Sequence, residues 1–154
     1  MLIAGLRAHV FKMSNKGRLT VKMLVALLML LCGTARADWY FIGKTNEFNM
    51  YADPYSIQRN GPVARTWVMG DYKVAQSQRF PPPLFWISYL SVKELKEFDC
   101  AKGLHRTART AIYAANLAKG DPAYSFDSAA NFAPVANTAL DRAQFKFACE
   151  DGKR

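Results

Sequence analysis

Short runs of apolar and aromatic residues, separated by turn-forming residues, dominate the chain between residues 39 and 127. Runs of this length and composition are typical of β-strands. Asn60-Gly61 is the strongest hairpin sequence in the chain, because both residue types tolerate positive φ. The pattern predicts strands at Trp39–Gly43, Phe48–Ala52, Val63–Tyr72, Phe85–Val92, Leu104–Tyr113 and Ala123–Asp127, with a short extended piece at Ser56–Arg59.

Alternation along Val63–Met69 places the bulkier side chains on one face, as in a sheet that is covered on one side. The chain then changes character. Because the three prolines at 81–83 cannot donate hydrogen bonds to a neighbouring strand, Gln76–Pro83 is predicted to be a polar, proline-rich loop.

The C-terminal segment has helical rather than strand periodicity. Thr138 is a suitable N-cap, Asp141 falls in the first turn, and apolar residues then recur at helical spacing up to Cys149. Several strands followed by one helix indicate an α+β fold, with a single antiparallel sheet of about six strands and a C-terminal helix.

The first 37 residues have the organisation of a secretory signal peptide. Six basic and no acidic residues accompany the apolar run Met23–Leu31, and Ala35-Arg36-Ala37 precedes a predicted cleavage between Ala37 and Asp38. The apolar run is too short for a membrane anchor, which needs about 20 residues. Met13 is an alternative start, and lipoprotein processing at Cys32 is disfavoured because Leu31 precedes it.

Removal of this leader changes the charge balance. The whole chain has a formal net charge of +9, whereas residues 38–154 keep 15 basic against 12 acidic residues, or +3. Much of the basic excess therefore belongs to the predicted signal peptide, and it gives little support to a nucleic-acid partner. The same removal leaves Cys100 and Cys149, and an even pair in an exported chain predicts one disulfide.

Catalytic and metal-binding patterns are weak in the mature segment. Glu94, Glu97 and Asp99 are predicted to lie in a solvated polar connection, and His105 is the one histidine after residue 37. No nucleophile elbow, glycine-rich phosphate loop or spaced His/Cys cluster accompanies them. We therefore predict no catalytic residue, no metal site and no cofactor.

Two sets of residues are candidates for binding. Lys102, His105, Arg106 and Arg109 are the densest basic group, although regular alternation would place Arg106 and Arg109 on opposite faces. Contact of this group with an anion, such as a polyanionic glycan or an acidic protein tail, is one interpretation. A structural ion pair of Arg106 with Asp99 or Glu97 is favoured over it. The second set consists of aromatic residues near the proline-rich loop, namely Tyr40, Phe80, Phe85 and Trp86. For Phe85 and Trp86, contact with a partner and core packing are both open, whereas Trp39 and Trp67 are assigned to the core.

The order of several short segments resembles the surface-adhesin protein E family of bacterial exported proteins. The elements that carry the resemblance are Trp39, Tyr51–Ile57, Val63–Val68, Asp71–Lys73, Ser91–Cys100, Arg106 and Cys149. They cover nearly all of residues 38–154. The resemblance implies an antiparallel sheet with a disulfide-tethered C-terminal helix, and an adhesin that binds host matrix and plasma proteins. The longer, more apolar Phe80–Trp86 segment and Phe132, at a position expected to hold Trp, depart from the family pattern.

The functional expectation is a non-catalytic binding protein of the Gram-negative envelope, either periplasmic or on the outer surface. It would act by protein–protein contact, with an unknown protein partner that includes host or matrix proteins. Exposed sheet edges also offer a route to a homodimer. The alternative expectation is a periplasmic small-ligand or envelope-maintenance module without adhesin activity. An exported hydrolase is a third hypothesis, and it requires a deep polar pocket around His105.

Overall fold

The computed structural model describes residues 38–80 and 85–150. The predicted leader, with Cys32 and Ala37, and the prolines at 81–83 lie outside these residues. The described chain forms, in order, strands β1 Tyr40–Lys44, β2 Phe48–Ala52, β3 Gln58–Asn60, β4 Val63–Phe80, β5 Phe85–Asp99, β6 Leu104–Tyr113, β7 Tyr124–Asp127 and β8 Ala133–Pro134, and helix α1 Ala139–Cys149. Two 3-10 turns lie at Pro54–Ser56 and Asn116–Ala118.

The strands form one sheet in the order β1-β2-β4-β5-β6-β7, with β3 paired to β4 and β8 paired to β6. Every pairing is antiparallel. The turn between β3 and β4 forms at the predicted place, and Gly61 adopts the positive φ of 58° that the tight connection requires. The predicted α+β fold is therefore confirmed.

The predicted loop over Gln76–Pro83 is wrong for Gln76–Phe80. These residues continue β4 and pair with Phe85–Tyr89 of β5, from Gln76 opposite Tyr89 to Phe80 opposite Phe85. A proline removes the donor at its own position and restricts the residue before it, so residues further upstream keep their ladder bonds. We call this extension, Gln76–Phe80 with Phe85–Tyr89, the hairpin arm.

Helix α1 packs on the face of β4 that carries small residues. Ala64 lies against Phe98, Ala148 and Cys149, and Val68 packs with Ala52 and Phe147. Small side chains on the sheet let the helix backbone approach closely. The bulkier side chains predicted on the other face of β4 are thereby directed away from the helix.

Both ends of helix α1 are held by specific contacts. Thr138 caps the N-terminus by accepting a hydrogen bond from the Asp141 backbone N–H at 3.1 Å. At the C-terminus, Arg59 donates to the carbonyl oxygens of Ala148 and Cys149 at 2.7 and 3.0 Å. The predicted disulfide between Cys100 and Cys149 is confirmed and fastens the same end of the helix to the turn after β5.

Candidate binding surfaces

The hairpin arm combines packed aromatic residues at its outer end with an exposed tryptophan. Phe80 is buried against Ile87 and Ile112, and Phe85 packs beside it. Trp86, the next residue along β5, is 70% exposed. The sequence did not decide whether Phe85 and Trp86 contact a partner or pack in the core. The structure separates them, because Phe85 contributes to the core and Trp86 faces solvent.

Tyr40 does not join this aromatic group. Its ring stacks on Phe147 of helix α1, with 5.8 Å between the ring centroids. The rings that surround Phe80 are instead those of Phe85, Tyr124 and Phe126. The sequence proximity of Phe80, Phe85 and Trp86 to the prolines predicted part of the cluster, but Tyr124 and Phe126 reach it only through the pairing of β7 with β6.

The predicted separation of Arg106 and Arg109 is wrong. Arg106 pairs with Glu97 and Arg109 pairs with Leu95, two positions apart on β5, because β6 has one extra residue between Thr107 and Arg109. This insertion is a β-bulge, which resets the alternation of side chains. Both arginines therefore project from the same face of the sheet, opposite helix α1.

Arg106 is held tightly on this face. Its Nε atom donates to Oε2 of Glu97 at 2.7 Å, and its Nη2 atom lies 2.7 Å from the same oxygen in an ion pair. The guanidinium lies 4.7 Å from the centroid of the Phe132 ring. The ion pair with Glu97 is one of the two that the sequence suggested. Arg109 makes a longer, exposed contact with Asp127, at 3.4 Å.

Arg65 completes this face and was not a candidate from sequence. It pairs across the sheet with Glu97, which itself pairs with Arg106 on the far side. Two adjoining grooves of about 400 Å³ each meet at Gln58 and Arg65. One also contains Arg109 and the other Arg106. Alternation along β4 placed Arg65 beside Trp67, but only the register with β5 and β6 brings the three arginines together.

Lys102 and His105 do not belong to this arginine face. Lys102 lies in the turn after β5, with Nζ 3.8 Å from Asp99 Oδ2. His105 pairs with Phe98 and stacks on its ring at 6.1 Å. Burial, followed by the positive charge of Lys96, lowers the pKa of His105 below its ordinary value of 6.5. The basic group inferred from sequence is thus divided among a turn and two faces.

The assignment of Trp39 and Trp67 to the core is wrong, because both rings lie beside the side chain of Lys93. Nζ of Lys93 lies 5.4 Å from the Trp39 ring centroid and 5.0 Å from that of Trp67, within the range of cation–π attraction. Both tryptophans remain partly exposed. Burial lowers the pKa of Lys93, against an opposing effect of Asp53.

The acidic residues considered for catalysis lie within strand β5, and the prediction of a solvated connection is wrong for them. Glu94 contacts Lys96 at 3.6 Å, Glu97 is paired with Arg106, and Asp99 accepts from the backbone N–H groups of Ala101 and Lys102. Each carboxylate thus has a neighbour in the sheet or turn. Within residues 38–80 and 85–150, no cluster of three His, Cys, Asp or Glu side chains is arranged to hold a metal.

The connection between β6 and β7 is strained. Leu117 and Ala118 have positive φ values of 56° and 50°, a conformation that is unfavourable for residues with a Cβ atom. The backbone N–H of Leu117 donates to Asp71 Oδ1 at 2.7 Å, and that of Ala118 to Ser91 Oγ at 3.0 Å. Ser91, which is fully buried, also donates to the carbonyl oxygen of Ala115. These bonds to the sheet hold the loop in its unfavourable conformation.

The fold therefore defines a disulfide-tethered α+β domain with open surfaces for contact. Over residues 39–150 the sequence matches the Surface-adhesin protein E family, so the chain belongs to that family and is an adhesin E-like protein. The resemblance found in the sequence is confirmed. No curated protein matches the sequence.

Three solved structures of Haemophilus influenzae protein E have a similar fold. Crystal form II gives a TM-score of 0.56 at 13% identity, covering 78% of this chain and 93% of that one. A second structure gives 0.50 at 18% identity, with coverages of 73% and 85%. The protein from a non-typeable strain gives 0.50 at 18% identity, with coverages of 75% and 79%. At these identities the likeness supports the fold.

No helix in the described part of the chain is long and apolar enough to cross a membrane.

Proposed function

We propose that this chain is an exported, non-catalytic binding protein that acts by protein–protein contact at the envelope of a Gram-negative bacterium. Its membership of the Surface-adhesin protein E family supports an adhesive role, with a host or matrix protein as the partner. The leader in residues 1–37, with cleavage between Ala37 and Asp38, supports export to the periplasm or the outer surface. The exposed edge strands β1 and β7 are also available for pairing with a second copy.

The observation that carries the proposal is the exposure of Trp86 on a hairpin arm whose outer end is packed against the rest of the domain. Tryptophan is among the residues most often dominant in protein interfaces. Because Phe80 and Phe85 anchor the arm in the core, the Trp86 ring is presented with little loss of freedom on binding. Basic residues near the interface would set orientation and association rate more than affinity.

Binding of purified protein to epithelial cell monolayers and to their deposited matrix tests this proposal. The full chain, exported and purified from a Gram-negative host, is compared with Trp86→Ala and with Tyr55→Ala, which removes an aromatic side chain that is 80% exposed elsewhere. A dominant interface tryptophan is worth at least about 2 kcal/mol, so Trp86→Ala should weaken binding roughly thirtyfold. Equal binding by all three proteins, or no binding by the parent chain, would contradict the proposal.

Surface labelling of intact cells addresses the compartment separately. A protein on the outer surface reacts with an impermeant reagent while the outer membrane is intact. A periplasmic protein reacts only after the outer membrane has been disrupted. Labelling confined to disrupted cells would contradict an adhesin at the host interface and would favour an envelope role inside the periplasm.

A further inference from the structure

On the face of the sheet opposite helix α1, arginine side chains outnumber the carboxylates that pair with them. Arg65, Arg106 and Arg109 project from this face, together with the carboxylates of Glu97 and Asp127. Arg106 is paired with Glu97 and Arg109 with Asp127. Arg65 has no carboxylate within 4.0 Å among the described residues, so one guanidinium is left to face a ligand.

The grooves on this face are lined by apolar as well as charged side chains. Trp67 and Leu95 line the groove of Arg109, and Phe132 lines that of Arg106. Because both grooves share Gln58 and Arg65, they form one continuous depression across β4, β5 and β6. We name this depression the arginine groove.

We infer that the arginine groove binds an extended peptide segment in which acidic and apolar side chains take turns at every second residue, so that both kinds project from the side that faces the groove. A guanidinium matches a carboxylate through two parallel hydrogen bonds, and Arg65 has the free fork for it. The apolar side chains of such a segment would lie against Trp67 and Phe132. A densely sulfated glycan fits less well, because the four arginines and two carboxylates that line the groove leave a net charge of only +2. One of these arginines, Arg59, is already bonded to the C-terminus of helix α1.

The arginine groove is a site separate from the one in the proposed function. Glu97 and Trp86 are 11 residues apart along β5, which corresponds to about 36 Å in an extended strand. A variant at one site should therefore leave the other unaffected. Failure of peptide binding would not bear on adhesion through Trp86, and failure of adhesion would not bear on the groove.

Fluorescence anisotropy with a labelled eight-residue peptide, two repeats of Ser-Asp-Ser-Leu, tests the inference, with the Ser-Asn-Ser-Leu repeat as the uncharged control. Arg65→Gln should weaken binding of the acidic peptide by at least about tenfold, as expected for loss of a charged hydrogen bond. Arg79→Gln removes the same charge from an exposed position on the hairpin arm and should leave affinity unchanged. Trp86→Ala should also leave it unchanged.

Asp127→Asn provides a gain of binding that misfolding cannot imitate. The Asp127 side chain is 81% exposed, and its substitution releases Arg109 for the peptide. Affinity should rise about two- to fivefold, the range expected for an exposed ion pair. The inference is overturned if Arg65→Gln and Arg79→Gln weaken binding equally, or if the uncharged peptide binds as well. Binding of a heparin oligosaccharide in place of the acidic peptide would overturn it too.

Discussion

Removal of the disulfide should have a large and calculable effect on stability. The Cys100–Cys149 bond joins residues separated by 49 positions, and that segment contains β6, β7, β8 and helix α1. Restricting a loop of this size in the unfolded chain corresponds to about 4 kcal/mol in the chain-entropy model. A net stability for a domain of this size is about 5–15 kcal/mol, so the loss is a substantial fraction of it.

The perturbation is the double variant Cys100→Ala/Cys149→Ala. Alanine keeps the buried position of Cys149 apolar, so the change removes the crosslink without burying a hydroxyl group. Arg59 still donates to the helix C-terminus, and Phe98 still packs on Ala148. The variant should therefore fold with α1 in place and lose about 4 kcal/mol of unfolding free energy.

Equilibrium unfolding in urea, followed by tryptophan fluorescence, measures this loss. The parent protein in the absence of reductant is compared with the double variant, and the variant is measured again with reductant as a control that should change nothing. A decrease below about 1 kcal/mol would refute the reasoning, because the unfolded chain would then gain little freedom from loss of the crosslink.

Three further substitutions test individual contacts. Ser91→Ala should cost about 1–3 kcal/mol of unfolding free energy, because it leaves two backbone groups of the strained loop without their buried partner, whereas Ser88→Ala on the same strand should cost little. Arg59→Ala should lower stability by about 1–3 kcal/mol and fray the end of helix α1 in amide hydrogen exchange; Arg79→Ala is the control and should do neither. The pKa of His105 is lowered in the folded state, so its contribution to stability is present above about pH 6.5 and is lost as the pH falls. His105→Gln should therefore reduce the change of the urea midpoint between pH 7.5 and pH 5. An unchanged dependence of the midpoint on pH would contradict this.

The sequence was most informative where a strand or helix has clear boundaries. Phe48–Ala52 forms a strand where one was predicted, and it ends at Asp53-Pro54. Asp53 accepts from the Tyr55 backbone N–H at 2.9 Å, as expected for an Asx turn. The N-cap at Thr138 has the same local origin, because a side chain that bonds a backbone group three residues away needs no tertiary information.

Features that depend on pairing between distant segments could not be read from the sequence. The bulge beside Ala108 is set by how β6 aligns with β5, and it reverses the face assignment of Arg109 relative to Arg106. Strict alternation gives the wrong answer there because one unpaired residue changes the parity of the strand. Trp67 was assigned to the core for a similar reason, since its cross-strand neighbours were unknown.

The two faces of the sheet have different roles, because one holds helix α1 and stabilises the fold and the other carries the arginine groove. On the helix side, small residues such as Ala64 admit α1, and the disulfide and Arg59 hold it there. On the other side, the bulge at β6 gathers arginines whose charges are only partly neutralised. Removal of the Cys100–Cys149 disulfide should consequently change stability at constant affinity, whereas Arg65→Gln should change affinity at constant stability.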